Sequence, residues 1–538
     1  MLNEAQQKAV DTTADKVVVI AGAGSGKTHI LVERLTRLKE SGVDPESILV
    51  LTFTNAAARE MTERYKRKNE GKTPKFGTFH AFCYSLICTD SDIRRKMGYS
   101  APPTLATPAD IQQIMSEVRI MCGTTISDSK LNDPDRLKPN EQFQYDIFWK
   151  QYNKMFRQRN LITFDIMCDE VSEMFSANDP ITDKYKSKYK YVMLDEAQDS
   201  NHTNVDFMLS FTESKLFMVG DFRQALYRFR GADSSIIKGF ADDPEWETIV
   251  LSENYRSTKQ IVDYANHIHK LGSSALDVNM KSDRDGIDVE FRSGFDYNST
   301  ESIMSIVQDK TDGNTVAILC RTNAEVDEVK SALYDVRIPY ITNNANKTII
   351  EYLYCSIDSE YFVKYLSSDL SREEYIRYLK VSSTENINEE EFVKLFGQNF
   401  KYALRKIMDI RKILSENTLV SIMFTNLVNY LKVNVDVALG LSCNNIQDVV
   451  NTLADELDVQ CDTGIYVGTI HSSKGLEYNV VHVIGVNGPH FDPNRNEDEQ
   501  NCYYVACTRA KDKLVIWDSN VQSTVDVEGF GYGKYHIE

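Results

Sequence analysis

Lys27 and Thr28 close a run at residues 17–28, VVVIAGAGSGKT, in which four β-branched residues give way to glycines. Glycines let the backbone curl so that successive N–H groups converge on one anion. Lys27 can then place its ammonium on terminal phosphates, and the Thr28 hydroxyl can hold Mg²⁺. A helix beginning at Thr28 adds its positive end to the same spot. The usual phosphate-loop pattern opens with glycine where this chain has Ala21. A second chemical pair, Asp195 and Glu196, ends the apolar run YKYVMLDEAQDS at 189–200. Asp195 at a strand end can reach the metal shell beside Thr28, and Glu196 can orient and deprotonate water for attack on a γ-phosphate. Gln224 follows the run LFMVGD at 216–221 and is placed to sense that phosphate. In ALYRFRG, at 225–231, aromatics alternate with arginines, which offers stacking faces and phosphate partners together. The alternative for that stretch is an edge strand with aromatic packing.

These groups need a scaffold that delivers them to one edge. The phosphate turn leads into a helix over 30–39 that carries Arg34, and 48–52 reads as a second buried strand. Phe53-Thr54-Asn55 is a turn before a helix over 56–68, and 76–80 reads as a short strand and another edge turn. Strand–helix–strand–helix of this length implies a parallel sheet, with ligands at the carboxyl ends of its strands. Strands are also expected near 189–194, 216–221, 246–251, 286–292, 314–320, 338–340, 464–470, 480–486 and 514–517. Residues 84–161 and 343–461 change to mainly helical, polar patterns and read as insertions. A polar loop is expected over 487–500 and a helix over 502–513, the latter carrying Thr508-Arg509-Ala510.

At 538 residues the chain exceeds the ~250–300 at which single cores stop growing, so more than one domain is expected. No apolar run approaches the ~20 residues of a membrane span, and residues 1–10 have no export-signal layout, so a cytoplasmic protein with no membrane partner is expected. The ten cysteines are scattered without Cys-x-x-Cys and read as reduced thiols. A net charge of −18 argues against a protein that binds nucleic acid over its whole surface, though not against a basic groove. The one basic run, Arg59, Arg64, Lys66, Arg67, Lys68, Lys72 and Lys75, reads first as a solvated face.

Ten segments occur in a fixed order: LNEAQ, AGAGSGKT, TFTNAAAREM, GTFHAF, MLDEAQDS, VGDFRQALYRFRGAD, LSENYRS, RTN, GTIHSSKGLEY and YVACTRAKDKL. Together they resemble the superfamily 1A DNA helicases of the UvrD/PcrA/Rep type. The resemblance implies an α/β fold of two RecA-like parallel-sheet domains, a P-loop NTPase, each domain with a mainly helical insertion. The implied domains are 1–83 with 162–257, and 258–343 with 462–538, interrupted by insertions at 84–161 and 344–461. ATP and Mg²⁺ are the implied cofactors, with ATP in the cleft between the domains. Single-stranded DNA and junctions of single and double strands are the implied partners, with replication or repair proteins beside them, and movement runs 3′ to 5′.

By the same resemblance Lys27, Asp195, Glu196, Gln224, Arg256 and Arg509 are catalytic, the two arginines as fingers that stabilise transition-state charge. The nucleotide set takes in Gln6 at the adenine, Ala21, Gly22, Ala23, Gly24, Ser25, Gly26, Lys27, Thr28 and Arg34. Tyr255 stacks on the base and Glu477 binds the ribose. Thr28 and Asp195 hold the metal. Phe53, Tyr227 and Phe229 resemble a base-stacking platform, and Asn55, Thr78, His80, Arg230, Arg321, Asn323 and His471 lie along the strand. Some positions depart from the pattern. Phe222-Arg223 stands where a second acid is usual, and Phe229 stands where tryptophan is usual. The second insertion is short, and no nuclease domain is expected after Ser519. Unwinding is therefore less secured than ATPase and translocation. The competing readings are a protein-stripping translocase with weak unwinding and a nucleotide-dependent polymerase-associated factor.

Overall fold

The computed structural model describes residues 2–131, 137–270, 278–293, 295–297, 299–310, 313–336, 338–342, 353, 400–415, 419–431, 437–443, 445–446, 448–454 and 464–518. Most of the expected second insertion lies outside them. The chain divides into two compact units, Met1–Tyr255 with Ser274–Lys281, and Arg256–Ser273 with Ser282–Glu538. Among the described residues no helix is long and apolar enough to cross a membrane.

In the first unit β1 (Lys16–Ala21), β2 (Ile48–Thr52), β3 (Lys75–Thr78), β6 (Tyr191–Leu194), β7 (Lys215–Gly220) and β8 (Glu247–Leu251) form one sheet in the order β3-β2-β6-β7-β1-β8. Every pairing is parallel. A parallel sheet covered on both faces reads as continuous apolar sequence. Val17, Val18, Val19 and Ile20 of β1 have no exposed surface, and all of β2 is buried. Alternate residues of β1 serve different cores: Val18 and Ile20 pack on one side, Val17 and Val19 on the other. The order reverses direction beside β1, so the turn after β1 lies at a switch point where parallel sheets bind ligands.

The helix Phe79–Thr89 begins directly after β3, with Thr78 as its cap, accepting from Ala81 N–H. The expected turn at Phe79-His80 is therefore the first helical turn. Between it and β6 lie the helices Ser91–Lys96, Pro108–Cys122, Gln142–Gln158 and Phe164–Ser176, with a short parallel pair of β4 (Thr104–Leu105) and β5 (Leu161–Ile162).

In the second unit β9 (Glu290–Ser293), β10 (Val316–Cys320), β11 (Tyr340–Ile341), β12 (Ile465–Thr469), β13 (Tyr478–Val486) and β14 (Ala510–Asp518) form a parallel sheet in the order β11-β12-β10-β13-β14-β9. These are the two RecA-like sheets the fold reading requires. One helix is displaced from expectation. It spans Glu497–Cys507 rather than 502–513, capped by Asn496, whose side chain accepts from Glu499 N–H. Three acids in its first turn favour that start. Residues 510–513 join β14 instead, because pairing sets Ala510 against Tyr478 and Lys513 against Val480.

Candidate nucleotide site and nucleic-acid interface

The phosphate loop is held open from behind. The Ala23 carbonyl accepts from Asn254 Nδ2 at 2.7 Å, the Gly24 carbonyl from Tyr255 N–H at 3.0 Å, and the Ser25 carbonyl from Gln6 Nε2 at 2.9 Å. A trans peptide points its N–H opposite its C=O, so the N–H groups of Gly24 and Gly26 face away from these donors. Gly24 and Gly26 have φ of 68° and 86°, a conformation that β-carbons disfavour. Gly26 then caps the helix Lys27–Glu40, whose first turn has no side-chain cap and no acid. That bare helix start favours an anion. Gly22 must be small: a β-carbon there would come within 2.8 Å of the Met280 side chain.

Lys27 Nζ is sealed from solvent, has no hydrogen-bond partner among the described residues, and lies 3.9 Å from Glu196 Oε1. A buried ammonium in this position is satisfied by a ligand anion. Asp195 ends β6, is buried, and is fixed by its N–H donating to the Leu51 carbonyl at 2.9 Å. Glu196 next to it has φ of 53°, the left-handed region unusual for a side chain of this size. Its Oε2 accepts from Gln198 Nε2. Thr28 and Asp195 supply the hard oxygen atoms that suit Mg²⁺. Among the described residues no cluster of three or more His, Cys, Asp or Glu could hold a metal by itself.

Beyond β7, Asp221 has no exposed surface. It accepts from Arg223 Nε and from Gln224 Nε2, each at 2.8 Å. Burial works against its charge, but Arg223 and Lys27 outweigh this and hold the carboxyl at about 2. Arg223 also donates to the Val278 carbonyl at 2.8 Å. The positive charge that departs from the usual pattern is thus paired within the site wall.

Gln6 sits in a capping box with Asn3, and Asn3 Nδ2 donates to the Tyr255 hydroxyl at 2.8 Å. Gln6 and the half-exposed ring of Tyr255 therefore flank one loop. Arg34 is placed differently. It is buried, its Nη1 donates to the carbonyls of Ala9, Val10 and Thr12, and its guanidinium lies 4.5 Å from the Phe217 ring centre. Burial lowers it to about 10. It clamps the end of the helix Glu4–Asp11, whose first turn presents Gln6, and so supports the site from behind.

In the second unit, Arg256 Nε donates to Glu477 Oε2 at 2.7 Å and its Nη1 to the Thr508 carbonyl at 3.2 Å. Lys511 Nζ lies 2.7 Å from Glu477 Oε1. Burial opposes the Glu477 charge, but Lys511 and Arg256 keep it below the usual carboxylate range. Arg509 is almost fully buried and donates to the carbonyls of Val505 and Leu476 at 3.0 and 3.3 Å. Arg256, Glu477 and Arg509 thus gather around the end of one helix.

The aromatic residues form a ladder on the first unit. The rings of Phe53 and Tyr227 stack with centres 4.6 Å apart and 24° between planes, and Phe229 lies 6.2 Å from Tyr227. Phe229 is 71% exposed, which excludes a core role. Its stretch forms short 3₁₀ turns, Phe222–Gln224 and Arg228–Arg230, and not an edge strand. The side chain of Arg230 lies outside the described residues. Asn55 and Asn323 are exposed first residues of helices capped by Thr54 and Thr322. His80 is exposed on the helix after β3, and Thr78 is its buried cap. Arg321 is committed to Glu499, 2.8 Å away, and His471 Nε2 lies 4.0 Å from Cys502 Sγ. The basic run is largely paired with nearby acids: Arg64 with Glu60, Lys68 with Glu33, Lys72 with Glu46. It forms a salt-bridged face, as the sequence suggested. Sequence reasoning missed Gln198 and Asn254 as parts of the site, and noted Arg223 only as a departure beside it. The Gln of DEAQDS and the Asn of LSENYRS stood inside quoted motifs, but their partners are distant in sequence.

The UvrD/REP helicase N-terminal domain profile matches residues 2–245, and the UvrD-like helicase C-terminal domain profile matches 249–348 and 355–520. The chain is 26% identical to an ATP-dependent DNA helicase PcrA of Staphylococcus epidermidis, with 97% of this chain and 84% of that protein covered. It is also 26% identical to an ATP-dependent DNA helicase PcrA of Staphylococcus aureus, with 96% and 83% covered.

Proposed function

The chain belongs to the UvrD/REP helicase family, and on that premise we propose that it hydrolyses ATP to move 3′ to 5′ along single-stranded DNA and to part duplex strands. The observation that carries this reading is the buried Lys27 ammonium, with no hydrogen-bond partner among the described residues, inside a glycine cradle and 3.9 Å from Glu196. Phosphate binding and water activation meet there. Thr28 and Asp195 would hold Mg²⁺, which supplies positive charge to the phosphates.

Lys27 and the loop N–H groups neutralise the terminal phosphates, and Glu196 accepts a proton from the attacking water. Gln224 responds to the γ-phosphate from the end of β7. Arg256 and Arg509 add charge to the transition state. Gln6 and Tyr255 contact the adenine and Glu477 the ribose. Bases stack on Phe53, Tyr227 and Phe229 for ~1–3 kcal/mol each, independent of sequence. Asn55, Thr78, His80, Arg230, Arg321, Asn323 and His471 follow the strand. Domain limits at 83/84, 161/162, 257/258, 343/344 and 461/462 belong to this proposal, as do work in the cytoplasm and contact with replication or repair proteins.

The test is an ATPase assay with and without single-stranded DNA, beside strand separation on 3′- and 5′-tailed duplexes. DNA should stimulate turnover, and only the 3′ tail should support unwinding. Stimulated turnover without strand separation would mark a translocase that strips proteins. Turnover indifferent to DNA would overturn the motor reading in favour of a nucleotide-dependent binding module.

A further inference from the structure

We propose that Gln198 is a positioning residue for ATP hydrolysis, fixing where the Glu196 side chain lies and tying it to the strand end that carries Asp221 and Gln224. This rests on the hydrolytic role assigned above to Lys27 and Glu196. The Gln198 side chain has no exposed surface. Its Oε1 accepts from the Asp221 backbone N–H at 2.9 Å. A backbone N–H can only donate, so that contact fixes which way the carboxamide points. Nε2 is then aimed at Glu196 Oε2. A donor in that place, itself anchored at its other end, holds the Glu196 carboxylate in one position.

Two further features fit one arrangement only. Glu196 is held with φ of 53°, and Gln198 anchors its side chain two residues on. Gly220 leaves room for the carboxamide: a β-carbon there would lie 2.6 Å from Gln198 Oε1. On the far side Asp221 Oδ2 accepts from Gln224 Nε2 at 2.8 Å. One buried amide therefore fixes the distance between the water-activating carboxylate and the loop that follows β7.

The experiment is steady-state ATPase turnover of the full chain, with saturating single-stranded DNA, read as kcat and as KM for ATP, for wild type, Gln198→Glu and Gln198→Ala. Gln198→Glu keeps the size and the bond from Asp221 N–H but sets a second carboxylate against Glu196. The donor to Glu196 is lost and a like charge faces it, so kcat should fall roughly tenfold or more with KM for ATP little changed. Gln198→Ala should lower kcat roughly tenfold with KM for ATP little changed. Affinity for a non-hydrolysable ATP analogue should match wild type in both. Wild-type kcat in both variants overturns the proposal. So does loss of analogue binding in both variants, which would make Gln198 a general structural residue. Lys27→Ala separates the two levels. Turnover surviving in that variant would overturn the hydrolytic assignment itself. Turnover abolished there, with unaffected Gln198 variants, would overturn only the role of Gln198.

Discussion

At the scale of single residues, Asp221 is a buried charge held by its neighbours. It is fully buried and remains ionised because Arg223 and Lys27 outweigh the burial cost, with its carboxyl at about 2. An unfolded aspartate titrates near ~3.9. The folded value is lower, so the stabilisation is complete above that pH and is lost as pH falls toward about 2. The linkage amounts to ~2.5 kcal/mol. Urea unfolding between pH 5 and 2.5 should therefore show a steeper acid loss in wild type than in Asp221→Asn. Equal slopes would mean that Arg223 is not its partner in solution. Arg223 itself was legible only as a departure from a family pattern. Its pairing with a neighbour two residues back and with the carbonyl of Val278 needed the fold.

At the scale of elements, the turn after β7 and the turn after β2 meet to make the aromatic ladder. Phe53 follows β2 and Tyr227 follows β7, and their rings stack at 4.6 Å. Phe229 projects from the same turn and is mostly exposed. Phe229→Ala should leave the unfolding free energy within about 0.5 kcal/mol of wild type, as expected of an exposed site. It should slow translocation several-fold while basal ATPase stays near normal. Equal losses of both activities, read from translocation kinetics and phosphate release, would refute the stacking role. Sequence pattern located these turns, because buried apolar strands end sharply. It misjudged Phe79-His80 and the helix before β14. In the first case Thr78 acts as a cap. In the second, pairing with β13 draws residues 510–513 out of the helix that local composition suggested.

At the scale of the whole molecule, the groups proposed for catalysis come from both parallel-sheet units. Lys27, Asp195 and Glu196 belong to the first, Arg256 and Arg509 to the second. If both arginines act on the transition state, Arg509→Ala and Arg256→Ala should each reduce DNA-stimulated kcat by ~10³-fold or more, the scale of arginine fingers. Affinity for a non-hydrolysable analogue should change far less. A variant with normal kcat would remove that arginine from the mechanism. By itself the sequence determined the strands, the phosphate loop, the carboxylate pair and the family, because each depends on residue type and spacing along the chain. Ten ordered motifs also specified which residues to inspect. Only the tertiary structure decided how those residues are held. Arg34 clamps a helix end, Arg321 is tied to Glu499, and Gln198 bridges Glu196 to Asp221. A hydrogen bond between chain-distant groups leaves no periodic trace in sequence, and burial decides what such a bond contributes.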